Sequence, residues 1–367
     1  MKLVCKWDEL LKALSAVNGA INPGAYLPIL KGCLLIAKDS FLTVIATNLE
    51  QTIKISISAE IKEEGQVVTV HRTFLDLTRK MNASEVILET KDNLLHIKCG
   101  KLQSKLHTWN ATDFPKTEPV EENTKFFHFP AQKWKRFIEK VIIATSPARI
   151  QIYGVLVDIL EQEIRFAATD GYRLAVLKAK NDTEVTEGRM FIPAQALIGA
   201  NKLVGDMMDY LEITFNEDFV CFACSSFTLQ SRLLGSEFLN YEQVFPKNVT
   251  AELRMNKDSL FQTLQRASLF INKDAKYAMA RIYAEGDTVI ISAHAAEIGS
   301  IREEIALAEL VSEQEIHFNV KYLLDPLHVM ESEEAIFRLH GECSPGVYCE
   351  NGDNWGYLHL VSPLCKM

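Results

Sequence analysis

The residues of this chain that could carry out catalysis or bind a metal are isolated from one another in the sequence. Cys221 and Cys224 have the spacing of a redox or zinc pair, but their alternating segment predicts a strand. Residues three apart on a strand point to opposite faces, and no second cysteine or histidine pair completes a zinc set. Asp170 follows a predicted strand and precedes Gly171, where a catalytic acid could lie. No histidine, lysine or second carboxylate shares that turn.

The sequence motifs of common enzyme classes are absent. The chain has no glycine-rich nucleotide loop, no GxSxG nucleophile motif and no HExxH metalloprotease motif. We therefore predict that the protein is not an enzyme and holds no cofactor or metal. A cytosolic enzyme that uses Asp170 as an acid on a repeated scaffold remains an alternative of a different class.

The composition predicts a globular protein of the cytoplasm. The chain has 367 residues, of which 48% are hydrophobic and 24% charged. No apolar run approaches the roughly 20 residues that cross a bilayer, and the N-terminus becomes charged too early for a signal peptide. The eight cysteines are scattered, as reduced cytosolic thiols are. A net charge of −9 argues against gripping DNA by bulk attraction, but not against a local basic surface.

Three sequence markers repeat along the chain with one period. They are a strand that runs into a polar turn, an amphipathic helix, and a second, short helix. Corresponding positions are 122 to 127 residues apart, and three periods fill the chain. The positions are Asn48, Asp170 and, more weakly, His294 for the turn; Trp7, Trp134 and Leu260 for the first helix; and Leu75, Leu197 and Leu324 for the second.

Short alternating runs lie between these markers and predict strands. Each repeat therefore consists of a strand, a helix, several strands, a second helix and several more strands. This pattern predicts an α+β fold in which two helices cover one face of an antiparallel sheet. A charged, proline-containing stretch and a second proline turn suggest domains at residues 1–120, 125–248 and 249–367.

The predicted helices carry more positive charge than the rest of the chain. The six helical segments sum to +6, which leaves −15 for all other residues. Ordinary solvated helix faces would explain this, and so would a basic helical surface on an acidic body that attracts a polyanion. There is no aromatic-rich RNA-binding signature and no recognition helix, so we do not expect the protein to read bases.

Several segments resemble the bacterial sliding clamp, the beta subunit of the replicative DNA polymerase III. The most specific is AATDGYRLA at residues 167–175. The others are LPIL at 27–30, SRLLGSEFLNYEQVFP at 231–246, YLLD at 322–325 and LHLVSPL at 358–364. They occur in the family's order along the whole chain, which also has the family's length.

The resemblance implies three clamp domains per chain and a head-to-tail homodimer ring. Antiparallel sheets would face outward, and two helices per domain would line a central hole. Such a sliding clamp, or processivity factor, encircles double-stranded DNA without sequence preference. It tethers the alpha subunit of the replicative polymerase, the clamp loader and other proteins with a clamp-binding motif. A clamp-derived paralogue that has lost partner binding is a further alternative.

The resemblance also assigns residues to three surfaces. Arg173 is expected to fix the polar end of a peptide whose leucine and phenylalanine anchors enter a pocket. The expected dimer contacts are Leu77 and Leu106 of one chain against Leu269 and Phe270 of the other. The expected DNA-facing residues are Arg72, Lys135, Arg136 and Arg149. The expected pocket consists of Ile152, Thr169, Gly171, Tyr172, Arg173, Leu174, Leu239, Val244, Leu360, Val361, Pro363 and Leu364.

The chain also departs from the family's pattern. Gln243 stands where an arginine is common, and Ser362 where a methionine is common. The tail, Cys365–Met367, lacks the usual arginine, and the loop before Leu27 lacks the arginine that many clamps offer to DNA. These differences leave the peptide preference and the grip on DNA open.

Overall fold

The computed structural model describes most of the chain. The described residues are 1–82, 84–116, 124–185, 187–206, 208–271, 278–352 and 355–364. Three parts of the sequence predictions lie outside them. These are the first domain boundary at 117–123, the tail Cys365–Met367, and the helical charges Lys273 and Lys276.

The described residues form six α-helices and 22 strands. The helices are α1 (Trp7–Val17), α2 (His71–Arg79), α3 (Ala131–Ile142), α4 (Ala194–Leu203), α5 (Lys257–Ser268) and α6 (Val320–Val329). The strands are β1 (Lys2–Lys6), β2 (Gly32–Lys38), β3 (Phe41–Thr47), β4 (Gln51–Glu63), β5 (Gly65–Val70), β6 (Glu85–Lys91), β7 (Leu94–Cys99), β8 (Leu102–Trp109), β9 (Lys125–Pro130), β10 (Gly154–Ile159), β11 (Glu163–Thr169), β12 (Arg173–Lys180), β13 (Gly188–Pro193), β14 (Tyr210–Phe215), β15 (Phe219–Ala223), β16 (Phe227–Arg232), β17 (Ala251–Asn256), β18 (Met279–Ala295), β19 (Gly299–Asn319), β20 (Glu334–Leu339), β21 (Gly346–Gly352) and β22 (Trp355–Val361).

The predicted order of elements recurs three times, which confirms the α+β prediction. The first two repeats each contain a strand, a helix, four strands, a second helix and three strands. In the third repeat, the long strands β18 and β19 take the place of those four strands. Their pairing register shifts between Ala284 and Thr288, where the hairpin departs from regular pairing.

The chain divides into two compact units. The first unit comprises residues 1–135 and 195–233, and the second comprises 136–194 and 234–367, so the middle repeat contributes to both. The first unit contains a 12-stranded sheet in the order β1-β6-β7-β8-β5-β2-β3-β4-β16-β15-β14-β9. The second contains an eight-stranded sheet in the order β13-β10-β11-β12-β22-β21-β20-β17 and the hairpin β18–β19. Every strand pairing among the described residues is antiparallel.

Apolar spacing in the sequence determines which face each helix buries. In α1 the buried residues are Leu10, Ala13, Leu14 and Val17, which follow the i, i+3, i+4, i+7 spacing of one helical face. In α5 the buried residues begin at Leu260 and follow the same spacing. Helix α5 also starts at a side-chain cap, because Asn256 Oδ1 accepts a hydrogen bond from the Ser259 amide at 2.9 Å.

One helical cation that we expected at the surface is buried instead. The side chain of Lys140 on α3 is 1% exposed, and its Nζ donates to Glu350 Oε2 at 2.6 Å and to the Val329 carbonyl at 2.8 Å. Glu350 Oε1 accepts from the backbone amides of Glu331 and Ser332 at 2.6 and 2.7 Å. The ion pair thus joins a helix of the second repeat to a strand of the third and to the end of α6.

We predict that Lys140→Met destabilises the second unit by about 3–5 kcal/mol, because it leaves the Glu350 carboxylate buried without a counterion. Urea unfolding followed by circular dichroism measures this change. Adding Glu350→Gln to Lys140→Met should recover part of the loss, since the amide oxygen still accepts from the two backbone amides.

The matched control is Arg302→Met, because Arg302 pairs with Glu304 where both side chains are more than half exposed. An exposed pair of this kind contributes about 0–1 kcal/mol. Equal destabilisation by the two substitutions would contradict the structural role assigned to Lys140.

Candidate functional site

The turn between β11 and β12 is held by its own side chains. Thr169 Oγ1 accepts from the Gly171 amide at 3.0 Å and donates to the Arg173 carbonyl at 2.7 Å. Asp170 Oδ1 accepts from the amides of Tyr172 and Arg173 at 3.0 and 3.1 Å. Gly171 has a φ of +85°, a left-handed conformation that favours glycine. Asp170 therefore stabilises the backbone of this turn.

The first repeat builds the same turn at the position that the sequence period predicts. Thr47 Oγ1 accepts from the Leu49 amide at 3.1 Å, and Asn48 Oδ1 accepts from the Gln51 amide at 2.7 Å. Leu49 adopts a φ of +76° where the second repeat has Gly171. The repeated polar turn is therefore a repeated backbone conformation.

Arg173 is enclosed rather than free at the surface. Its side chain is 6% exposed, its Nε donates to Asp170 Oδ2 at 3.0 Å, and its Nη1 donates to Asp325 Oδ2 on α6 at 2.5 Å. The guanidinium also lies 4.5 Å from the centroid of the Tyr322 ring. Two carboxylates thus neutralise the charge of Arg173 in this structure, and its role at the polar end of a peptide stays a prediction.

A hydrophobic cluster lies beside this turn and includes part of the predicted pocket. Leu174 and Leu360 face one another in the β12–β22 pairing and are buried in the cluster, and Ile152 packs against it. The sequence assigned no other buried member of the cluster to the pocket, although Phe238 and Tyr241 stand in the segment 231–246 that carried part of the resemblance. The cluster consists of Leu156, Ala167, Leu174, Val176, Phe191, Phe238, Tyr241, Val347, Cys349 and Leu360.

Other predicted pocket residues leave apolar surface exposed in the same unit. Tyr172 is 47% exposed, Leu239 40% and Val244 41%. Leu239 and Val244 flank a short helical turn, Tyr241–Gln243, whose Glu242 pairs with Arg165 at 2.7 Å. We call these three partly exposed side chains the apolar rim.

The segment after β22 is attached to two neighbouring parts of the second unit. The Ser362 amide donates to the Tyr172 carbonyl at 2.9 Å, and the Leu364 amide donates to the His317 carbonyl at 2.7 Å. Pro363 forms a backbone bridge with Phe318. Val361 is buried and pairs with Arg173 and Gly346. The C-terminal segment that contains the predicted pocket residues Val361, Pro363 and Leu364 is thus attached to the turn that bears Tyr172.

The four residues predicted to face DNA have different surroundings. Arg72 on α2 is exposed and pairs with Asp76 at 2.9 Å. Lys135 is partly exposed on α3, and Arg136 pairs with Glu331 at 3.4 Å. Arg149 is exposed, and its guanidinium lies 4.9 Å from the centroid of the Tyr172 ring, beside the apolar rim. The role of these residues toward DNA stays a prediction.

The four predicted dimer residues also differ in exposure. Leu269 is 69% exposed at the end of α5, and Phe270 and Leu77 are partly exposed. Leu106 on β8 is buried within the first unit. The assignment of these four residues to a dimer interface stays a prediction.

A histidine beneath the turn is kept neutral by its surroundings. His359 on β22 is fully buried, and its Nδ1 lies 3.0 Å from the Tyr357 hydroxyl. Burial, and to a smaller extent the charge of Arg173, lowers the pKa of His359 to about 3. Its Nε2 has no hydrogen-bond partner within the described part of the chain, so a second proton there would remain unsatisfied.

The low pKa of His359 predicts a loss of stability in acid. The pKa of an unfolded histidine is about 6.5, so between pH 6.5 and 3 the unfolded chain binds a proton that folded His359 does not bind. The contribution is fully present above pH 6.5, and below it the free energy of unfolding should fall by about 1.4 kcal/mol per pH unit. Urea unfolding at a series of pH values measures this slope.

His359→Gln should reduce the slope between pH 4 and 6 by about that amount, because the amide does not titrate. His328→Gln, which changes an exposed histidine of α6, serves as the control for the substitution itself. Parallel pH profiles for His359→Gln and the unchanged protein would contradict the assignment.

Comparison with known families identifies the protein class that this fold represents. Sequence models of the DNA polymerase III beta subunit match in three consecutive parts. The N-terminal domain matches residues 1–118, the central domain 128–240 and the C-terminal domain 242–361. The chain belongs to the DNA polymerase III beta subunit family, which confirms the resemblance and the three-part clamp fold.

Individual relatives carry the corresponding function in their names. A beta sliding clamp of Halalkalibacterium halodurans is 27% identical over 380 residues, with 99% of both chains covered. The beta sliding clamp of Escherichia coli K12 is 26% identical over 368 residues, with 99% of this chain and 100% of the relative covered. The crystal structure of the Bacillus subtilis sliding clamp matches all of both chains with a TM-score of 0.92 and 25% identity. The function of the chain is therefore that of a sliding clamp.

Metal-binding clusters and membrane-spanning helices are both absent from the described residues. Among the described residues, no three histidine, cysteine or acidic side chains are grouped so that they could hold a metal ion. Within the same residues, no helix has the length and apolar character needed to span a membrane. The enzyme alternative is not favoured, because Asp170 is engaged by Arg173 and by backbone amides.

Proposed function

We propose that this clamp encircles duplex DNA as a head-to-tail homodimer and tethers other proteins through the apolar rim. Each chain would contribute three domains, residues 1–120, 125–248 and 249–367, with the helices toward DNA and the sheets outward. The expected partners are the replicative polymerase alpha subunit, the clamp loader and other proteins with a clamp-binding motif. The clamp would act in the cytoplasm as a binding platform and not as an enzyme.

The observation that carries the tethering role is the apolar rim above a buried cluster. Tyr172, Leu239 and Val244 expose apolar surface in one unit, beside Leu174 and Leu360 of the cluster. A leucine or phenylalanine side chain that leaves water for such a surface contributes about 1.5–3 kcal/mol. A short peptide with two apolar anchors is therefore the partner that this site fits.

We predict that Val244→Asp weakens the binding of a labelled peptide with leucine and phenylalanine anchors by at least about tenfold. A charge on the rim opposes burial of the anchors, and 1.4 kcal/mol corresponds to a factor of ten in affinity. Fluorescence anisotropy measures the affinity. The matched control is Val249→Asp, which changes a valine of similar exposure, 49%, in the same unit.

The control should bind the peptide as the unchanged protein does. Equal loss in both variants would show that the rim is not the binding surface. Absence of peptide binding by the unchanged protein would instead favour a clamp-derived paralogue that has lost its partners.

Unpaired strand edges support the proposed dimer. Within the described residues, β8 pairs with β7 along its length but with β5 only at Thr108 and Trp109. The segment of β19 from Gly299 to Ile305 pairs only with β18. Two such edges can pair with one another across a dimer, because the unpaired amides and carbonyls of an exposed strand edge favour pairing with another chain. Lys101 and Lys105 adjoin the first edge, and the second edge carries Arg302, Glu303 and Glu304 with a net charge of −1, so the net charges of the two edges are opposite.

We predict that Leu269→Asp converts the dimer into a monomer, because the proposed interface would then bury an unpaired carboxylate. Light scattering measures the change as a fall from about twice 41.4 kDa to 41.4 kDa at micromolar protein. The control is Leu310→Asp, which changes a leucine of the same unit that is 81% exposed and lies outside the proposed interface. A monomeric unchanged protein, or a Leu269→Asp dimer that survives dilution, would contradict the proposal.

The same variant tests encirclement of DNA. Loaded onto a nicked circular duplex by a clamp loader, the unchanged protein should remain with the circle during gel filtration and leave it after linearisation. Leu269→Asp should not remain on the circle. Equal retention on circular and linear DNA would indicate ordinary binding and exclude a closed ring.

Exposed lysines of the first unit support a helical surface that attracts DNA. Lys12 on α1 and Lys202 on α4 line one cavity of about 640 Å³ between these helices. Phosphate attraction of this kind is independent of sequence and weakens with salt. A topological ring does not require tight binding, so a few such cations are sufficient for a clamp that slides.

A further inference from the structure

A cavity lies between helices α1 and α4 of the first unit. Its volume of about 640 Å³ falls within the range of about 300–1,000 Å³ that is typical of sites for small molecules. All of the residues that line it belong to the first unit. None of them was assigned by the sequence to the peptide pocket, to the dimer contacts or to the four residues expected to face DNA.

The sheet contributes an apolar surface to this cavity. Ile55 on β4 and Phe227 on β16 pair directly opposite one another and are 8% and 4% exposed. The helices add the small or apolar side chains of Ala13, Ala16 and Ile198. A molecule that enters the cavity can therefore remove apolar surface of its own from water, which favours binding.

Two cations without ion-pair partners also line the cavity. Lys12 on α1 and Lys202 on α4 are exposed, and neither forms an ion pair within the part of the chain that the structure describes. The carboxylate of Glu9, which lines the same cavity, pairs instead with Lys6 Nζ at 3.4 Å. The lining therefore has a net positive charge, which attracts an anion.

The helix that corresponds to α1 in the next repeat carries a large side chain where α1 has a methyl group. Ala13 and Lys140 each lie six positions after the tryptophan that marks the first helix of their repeat. The Lys140 side chain is 1% exposed and reaches the Val329 carbonyl at the end of α6, at a distance of 2.8 Å. The alanine at position 13 leaves the corresponding space in the first unit unfilled.

The sheet shows the same difference between the two units. Phe227 on β16 corresponds to Tyr357 on β22, because each pairs with the fifth residue of the strand that follows the repeated turn. Two positions earlier, the second unit has Trp355 and the first has Ser225. The Trp355 ring lies 4.8 Å from Lys140 Nζ and helps to close the second unit at this place. The cavity in the first unit thus follows from two small residues where the second unit has two large ones.

We propose that this cavity is a binding site for a small organic anion with an apolar body, such as an aromatic sulfonate or carboxylate. The apolar body packs on Ile55 and Phe227 between the two helices, and the anionic group interacts with Lys12 and Lys202. None of these residues belongs to the apolar rim, so the inference does not depend on peptide binding.

The first test uses the dye 8-anilinonaphthalene-1-sulfonate, an aromatic sulfonate that reports on accessible apolar surface. The unchanged protein should bind the dye saturably. Lys12→Glu should weaken binding by at least about threefold, because a negative charge then repels the sulfonate. N-phenyl-1-naphthylamine has the same body without the sulfonate, and its affinity should not change. The matched control, Lys80→Glu, changes an exposed lysine of the same unit outside the cavity and should affect neither dye.

The second test fills the cavity with Ala16→Phe. Ala16 is partly exposed and lines the cavity, so a phenyl ring at this position occupies the space of the ligand. The affinity for both dyes should fall by at least about tenfold, since the apolar body can no longer be buried. Ala111→Phe, which changes a partly exposed alanine of the same unit outside the cavity, should leave both affinities unchanged. If Ala16→Phe does not fold, Lys12→Glu still decides the proposal, because Lys12 is exposed.

Hydrogen exchange and peptide competition locate the bound dye. The sulfonate dye should slow amide exchange in α1 and α4, and a saturating peptide with leucine and phenylalanine anchors should not displace it. Displacement by the peptide, or an equal loss of affinity in Lys12→Glu and Lys80→Glu, overturns the proposal. Unchanged binding by folded Ala16→Phe, or no saturable binding by the unchanged protein, also overturns it. The tethering function is decided separately, by whether the unchanged protein binds the peptide.

Discussion

The antiparallel pairing of β12 with β22 is the constraint on which the second unit depends. It extends from Arg173 opposite Val361 to Ala179 opposite Trp355, and so joins the second repeat to the last strand of the third. Leu174 and Leu360, which are 186 positions apart in the sequence, become direct neighbours because of it. The buried cluster, the attachment of Ser362 to Tyr172 and the contacts of α6 with Arg173 all require this register. A slip of one residue would turn each of these side chains to the opposite face.

Buried ion pairs reinforce the same junction at two points. Arg173 reaches Asp325 on α6, and Lys140 reaches Glu350 on β21 and the carbonyl of Val329 at the end of α6. The rings of Trp355 and Tyr357, on β22, lie 4.8 and 5.6 Å from Lys140 Nζ. One helix of the third repeat is thus held by two cations of the second. The contacts between α6 and the second repeat therefore include buried ion pairs in addition to apolar packing. Because hydrogen bonds are directional, these ion pairs fix the orientation of α6.

Ion pairs also reduce the free positive charge that the helices present. Lys140 is buried, Arg136 pairs with Glu331, and Arg72 pairs with Asp76. The helical sum of +6 already subtracts Asp76 and Glu331, but it counts Lys140 in full although Glu350, which lies outside the helices, neutralises that charge. Under the proposed function a weak field is sufficient, since attachment to DNA would depend on ring closure and not on affinity.

The sequence by itself determined the α+β class, the three repeats, the positions of all six helices and the family, because these depend on local periodicity and on short motifs. It also found the turn at Thr169–Arg173, since a polar turn after an apolar strand is a local signal. Only the tertiary structure decided that Arg173 and Lys140 are enclosed, that Leu106 is covered, and that Phe238, Tyr322 and Asp325 adjoin the site. A charged residue looks the same in the sequence whether its partner lies at a distance of 3 residues, as Asp170 does from Arg173, or of 210, as Glu350 does from Lys140. Burial and pairing over such separations depend on strand register and on the packing of helices from different repeats, and neither is encoded in local spacing.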